Sequence, residues 1–172
     1  MNNHLEVVIR EAYEDDLEKI GELLKQIEYI WNGQTRNASS IRGVKKEIRN
    51  LVRSRGKNDG IALVAVYEGE VIGYIQAIIY RNRTPPETEV GRLVVDEPYR
   101  RQGIASQLYE SLEKQLLEYM KERGTKKMKL YAIIDTHNEP SQKFFEKQSY
   151  SLEKVKERNG RYYKAEKWLR LS

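Results

Sequence analysis

The chain has 172 residues and carries 31 Lys and Arg against 26 Asp and Glu, a net charge of +5 that favours anionic partners. Cysteine is absent and histidine occurs twice, which excludes disulfides, Cys-ligated metals and a cysteine nucleophile; a histidine metal cluster or a Ser-His-Asp triad is not expected either. Basic and acidic residues interleave and no apolar run approaches the ~18 residues of a membrane span, so neither nucleic acid nor membrane is the expected partner.

Met1-Asn2-Asn3-His4 leads straight into charged residues with no secretory h-region. A cytoplasmic chain folded as one domain over residues 1–172 is the expectation. Residues 6–11 predict a first strand. Glu14, Asp15 and Asp16 then crowd a helix start, where the helix dipole favours their charge. Leu17, Ile20, Leu24, Ile27 and Trp31 follow helical spacing and predict one helix face. The polar stretch 32–40 breaks that pattern, and Ile41, Val44, Ile48, Leu51 and Val52 form the stripe of a second helix ending in the loop 55–60.

Residues 61–67 and 71–80 are apolar, β-branched runs separated by Glu68-Gly69-Glu70, which predicts an antiparallel hairpin. A loop with Pro85-Pro86 leads to a strand at 88–95, where Gly91 signals a bulge or a close backbone approach. A long helix at about 103–121 presents Ile104, Leu108, Leu112, Leu116, Tyr119 and Met120 to the core and stops at Arg123-Gly124. Met128, Leu130, Ala132 and Ile134 alternate in a strand at 127–134, and 138–147 reads as a short helix. Strands at 150–156 and 161–169 flank Asn159-Gly160, a strong hairpin signal. The order β-α-α-β-β-β-α-β-α-β-β gives an α/β chain with a mixed, mostly antiparallel sheet and one parallel crossing.

The stretch Arg100-Arg101-Gln102-Gly103-Ile104-Ala105 lies between an apolar strand end and a long helix. A basic, glycine-containing turn at a helix N-terminus suits an anion, because free backbone N–H groups point outward and the dipole favours negative charge. No Gly-Lys-Ser/Thr follows, so it is not a Walker loop, and without a Gly-x-Gly start it is not a dinucleotide fingerprint. The Arg-x-x-Gly-x-Ala spacing resembles the acetyl-CoA pyrophosphate loop of the GCN5-related N-acetyltransferase (GNAT) superfamily, and the element order is similar to that fold along essentially the whole chain.

The resemblance implies a GNAT-like mixed sheet flanked by helices, with acetyl-CoA as co-substrate. It implies that the strands at 88–95 and 127–134 splay apart, and that Leu93, Val94 and Val95 offer backbone groups to the pantetheine arm as an added strand would. The amides of Arg101, Gln102, Gly103, Ile104, Ala105 and Ser106 would hold the pyrophosphate, with charge from Arg100 and Arg101. Asn138 matches an asparagine that binds the cofactor arm; it is equally a good helix N-cap before Glu139-Pro140. Seven residues on, many members carry a tyrosine that protonates the departing thiolate, and here Phe145 stands in its place. Gln148-Ser149-Tyr150 also replaces a common Leu-Gly-Phe, a change that touches a helix C-cap. Tyr131 and Tyr150 are nearby hydroxyl carriers that also suit the core or its rim.

Glu89 is the carboxylate expected to act as general base, since some members use a glutamate on this strand. Period-2 alternation puts it on the face of Leu93 if no bulge intervenes. Glu87 is the alternative. The implied function is direct acetyl transfer to a primary amine in a ternary complex, with the Val95 N–H polarising the thioester carbonyl. Two other functions remain open on the same scaffold: a CoA-binding module without catalysis, and a basic nucleic-acid- or protein-binding domain. Loops 31–40 and 81–87 are expected to shape the pocket for the acceptor, small molecule or peptide; no metal is required, and a homodimer is left open.

Overall fold

The computed structural model describes residues 5–31, 33–54, 60–157 and 160–172. Seven strands form one sheet: β1 (Val8–Glu11), β4 (Gly60–Tyr67), β5 (Glu70–Tyr80), β6 (Glu87–Val95), β7 (Lys127–Asp135), β8 (Ser151–Glu157) and β9 (Gly160–Arg170), in the order β1-β4-β5-β6-β7-β9-β8. All neighbours are antiparallel except β6 and β7, which are joined through the helix α3 (Ile104–Glu122) as a parallel pair requires. The mixed, mostly antiparallel sheet is therefore the one expected.

The first helix is shorter than its apolar spacing suggests. A 3-10 turn at Glu14–Asp16 runs into α1 (Leu17–Leu24), and the chain then closes with tight bonds from Gln26 N to Leu23 O and from Ile27 N to Leu24 O. Glu28–Trp31 is a strand, β2, paired with β3 (Gln34–Asn37) in a second, two-stranded sheet. Ile27 and Trp31 thus continue the helical spacing by coincidence. The missed sequence signal is Asn32-Gly33: Trp31 pairs with Gln34 and Gly33 takes φ +74°, while Asn32 lies outside the described residues. Loop residues 55–59 lie outside the described residues. The hairpin flagged by Asn159-Gly160 is present, but Gly160 already belongs to β9 opposite Glu157, and 158–159 also lie outside the description.

Two apolar layers clamp the sheet. On one face α3 and α4 (Glu139–Lys147) pack over Leu63, Ile75, Val90, Leu130 and Ala165. Leu108, Leu112, Leu116 and Met120 of α3 are fully buried there, each contributing about 1.5–3 kcal/mol of transfer free energy. Close packing needs Gly73 on β5, where a Cβ would sit 3.1 Å from Leu108 Cδ1 and 3.3 Å from the Val94 carbonyl. On the other face α1 and α2 (Val44–Ser54) bury Ile20, Leu24, Ile48 and Val52 against Val64 and Tyr74. They cover β4, β5 and β6, whereas Ile133 on β7 and Trp168 on β9 are left 48% and 45% exposed. Among the described residues no helix is long and apolar enough to cross a membrane.

Candidate functional site

β6 and β7 pair only from Glu87 to Glu89, against Lys129 to Tyr131. Beyond that point the two parallel strands separate, and a gap opens toward the C-terminal end of β6 and the start of α3. A bulge on β6 sharpens the separation. Between the pairs Gln76–Gly91 and Tyr74–Val94, β5 contributes one residue and β6 two, Arg92 and Leu93, with Arg92 at φ +53°. The bulge signalled by Gly91 is thus present at the next residues.

It also corrects the expected placement of Glu89. Thr88, bonded to Met128 Sδ, and Val90 face the α3 side. After the extra residue Leu93 and Val95 face that side and Val94 the other. Glu89 and Leu93 therefore lie on opposite faces, because one inserted residue reverses a period-2 pattern. Glu89 sits on the α1/α2 face at the apex of the gap. Two phenols converge on its Oε2: Tyr131 Oη donates at 3.2 Å from β7 and Tyr80 Oη at 3.3 Å from β5. Glu87, the alternative base, is ion-paired with Arg83.

At the other end of the gap, a 3-10 turn (Glu97–Tyr99) leads into Arg100 and Arg101. Arg101 takes φ +62° and Gly103 φ +77°, so two left-handed residues on either side of Gln102 turn the chain into α3. Gly103 is the N-cap and no side chain caps the helix, so the amides of Ile104, Ala105 and Ser106 stand at an open N-terminus. A Cβ on Gly103 would meet nothing within 4 Å, and Arg101, Gln102 and Gly103 are all exposed. This is the cradle that an anion needs.

Arg100 does something other than the sequence suggests. Its Nε donates to the Val95 carbonyl at 2.9 Å and its Nη2 to Gln26 Oε1 at 3.0 Å. Gln26 also donates to Asp96 Oδ1 at 2.8 Å and accepts from the Glu97 N–H at 3.1 Å. A residue just past α1 thus fastens the loop that follows β6. The sequence gives no sign of it, since the partners are some seventy residues apart.

Asn138 is the N-cap of α4, accepting from the Ser141 N–H at 3.1 Å. Phe145 is buried at 4% exposure, stacked edge-on against Phe144 and Tyr150. Tyr150 is equally buried and receives the Tyr109 hydroxyl at 3.0 Å, and burial raises its phenol well above the usual tyrosine range. Of the two tyrosines singled out in the sequence, Tyr150 is core and Tyr131 belongs to the site. Ser149 takes φ +68°, so the left-handed helix end persists without glycine. Among the described residues no cluster of His, Asp and Glu is placed to hold a metal.

Residues 24–150 match the model of the acetyltransferase (GNAT) family, and the chain belongs to that family. No curated protein sequence matches it. Among solved structures it is similar to the PaiA N-acetyltransferase of Thermoplasma acidophilum in complex with coenzyme A, at 22% identity and TM-score 0.68, covering 95% of this chain and 99% of that one. It is also similar to a ribosomal-protein-alanine N-acetyltransferase from Brucella melitensis (23% identity, TM-score 0.66, 94% and 99% covered). NAA60 of Arabidopsis thaliana in complex with acetyl-CoA matches at 17% identity and TM-score 0.68 over 95% and 98% of the two chains. At these identities the likeness is one of fold.

Proposed function

We propose that the protein transfers an acetyl group from acetyl-CoA to a primary amine, carried by a small molecule or a peptide, through direct attack in a ternary complex. The observation that carries this reading is that β6 loses its β7 partner beyond Glu89, so that its unpaired stretch leads from the Glu89 carboxylate to the uncapped N-terminus of α3. An elongated ligand with an anion at one end and a reactive group at the other fits that stretch. The amides of residues 101–106 and the Arg101 charge would bind the pyrophosphate. Arg100 would act indirectly, by fixing the carbonyl of Val95 and the loop. Backbone groups of Leu93, Val94 and Val95 would bind the pantetheine arm, with the Val95 N–H polarising the thioester carbonyl. Asn138 is already committed to capping through its Oδ1, which leaves its Nδ2 for the arm. Glu89 would accept the amine proton. The relatives by fold named for ribosomal-protein alanine and for NAA60 favour including peptide N-termini among the acceptors.

The test pairs binding with turnover. Acetyl-CoA at about 100 times its Kd should stabilise the protein by about 2.7 kcal/mol. Gly103→Glu, which places bulk and negative charge in the cradle, should remove that shift while the protein stays folded. A panel of amines and peptides, read by release of CoA thiol, should identify an acceptor. An unchanged ligand shift in folded Gly103→Glu overturns the loop assignment, and binding without turnover on any amine makes the protein a CoA-binding module instead.

A further inference from the structure

Aminolysis of a thioester moves a proton from nitrogen to sulfur. The geometry points to a single relay for that proton, in which Glu89 takes it from the attacking amine and the Tyr131 hydroxyl delivers it to the leaving thiolate. This inference rests on the acetyltransferase reading above. It goes further by assigning the acid, and by making acid and base one hydrogen-bonded unit.

Tyr131 lies in the last pair that joins β7 to β6, directly opposite Glu89. Its hydroxyl donates to Glu89 Oε2 at 3.2 Å, so a proton can pass between the two without rearrangement of the strands. Tyr80 donates to the same oxygen at 3.3 Å and keeps the carboxylate aimed at the apex. Phe145 has no proton to give, and the Tyr109–Tyr150 hydroxyl pair is buried in the core behind it. Of the two phenols at the apex, Tyr131 is the one on the strand across the gap, whereas Tyr80 lies on β5 opposite Glu87.

The steps balance. A neutral amine, its first proton lost to water, attacks the carbonyl carbon and forms the C–N bond. The nitrogen, now positive, gives its proton to Glu89. The C–S bond breaks with its electron pair on sulfur, sulfur takes the Tyr131 proton, and the Tyr131 oxygen recovers one from the Glu89 carboxyl. Amide and thiol result, and both side chains return to their starting states.

The electrostatics favour this order. Burial, then the negative charge of Glu89, hold the Tyr131 phenol well above the usual tyrosine range, so it is protonated when substrates bind. Once Glu89 takes the amine proton, that charge is gone and Tyr131 becomes a stronger acid at the moment the thiolate forms. The other groups facing the unit are Arg83, stacked on the Tyr80 ring, and Lys164 of β9, 5.4 Å from the Tyr131 ring centroid. Lys164 is shared with Glu166, which Lys129 also pairs.

Tyr131→Phe keeps the ring and deletes the relay. With an acceptor found for the wild type, kcat should fall by about 10²-fold, within the range of general-acid contributions, while the acetyl-CoA thermal shift is unchanged. Tyr80→Phe should fall less, and Tyr150→Phe, a core hydroxyl, should retain the wild-type kcat. Replacing Tyr131 by 3-fluorotyrosine, which folds like tyrosine but is more acidic, should move the alkaline limb of the pH–rate profile to lower pH. A second readout needs no turnover. In protein labelled with 13C at tyrosine Cζ, the resonance lost in Tyr131→Phe should titrate at lower pH in Glu89→Gln. Wild-type turnover with Tyr131→Phe equally fast and an unmoved pH profile overturns the relay alone. A Tyr131 titration indifferent to Glu89→Gln overturns it too. Failure of the wild type to acetylate any amine overturns the acetyltransferase reading, and the relay falls with it.

Discussion

Along one edge β7 is paired with β9 without interruption from Lys127 to Asp135, and along the other it meets β6 for three residues and then leaves it. The closed edge is backed by Met128, Leu130, Ala132 and Ile134, all buried in the core on the side of the sheet that α3 and α4 cover. The open edge holds Glu89, Tyr80 and Tyr131 at its apex and an uncapped helix N-terminus at its mouth. One strand therefore serves two purposes. Its position is fixed by the closed edge, so its other edge can leave polar groups for a ligand. Two carboxylates make the same point. Asp16 is gripped by Arg10 at 2.7 and 3.0 Å and by the Tyr13 N–H at 2.7 Å, a structural anchor at the start of α1. Glu89 accepts from two neutral hydroxyls, and among the described residues it forms no ion pair.

The contrast is broken most forcefully on the closed edge. Leu130→Ala should cost about 2–5 kcal/mol, since Leu130 is fully buried and its removal leaves a cavity. Denaturant unfolding measures this, and the acetyl-CoA shift should survive in the folded fraction; a loss of ligand response with little change in stability would reverse the roles of the two edges. On the open edge, Glu89→Gln should lower kcat by about 10²-fold with stability nearly constant. If rate and pH dependence are untouched with a verified acceptor, the base lies elsewhere.

The Asp16 anchor can be tested by pH. Burial works against the charge of Asp16, but the hydrogen bonds from Arg10 and the Tyr13 amide, with the Arg10 charge, outweigh it and hold the carboxyl below its ordinary value of 3.8. A folded-state pKa below the unfolded one means that this stabilisation is complete above the unfolded value and is lost as pH falls through the folded one. Asp16→Asn should thus cost about 1–3 kcal/mol near neutral pH, with the gap to wild type narrowing once the pH drops below 3.8. Thermal melts across that window check it, and a difference constant with pH would remove the ion pair as its cause. The smallest effect is a gain. Ser149 closes α4 at φ +68°, and Ser149→Gly should stabilise by about 1 kcal/mol without altering turnover.

By itself the sequence determined the sheet and its helices: period-2 runs of Val and Ile, the apolar stripe of α3, the Glu68-Gly69-Glu70 turn and the positive-φ glycine before Ile104 are local signals read by local physics. The family was legible for the same reason, because an anion cradle is a short contiguous stretch. The β2–β3 hairpin was legible too, in Asn32-Gly33, but helical spacing at Ile27 and Trp31 competed with it. Tertiary structure alone decided the rest. The extra residue at Arg92 and Leu93 reversed the faces downstream, so Glu89 could not be placed by counting. Tyr80, Glu89 and Tyr131 meet because β6 lies between β5 and β7, and Gln26 reaches Arg100 because α1 packs over the end of β6. Side chains from different strands converge through pairing register, which depends on the whole sheet and is not carried by any segment of the chain.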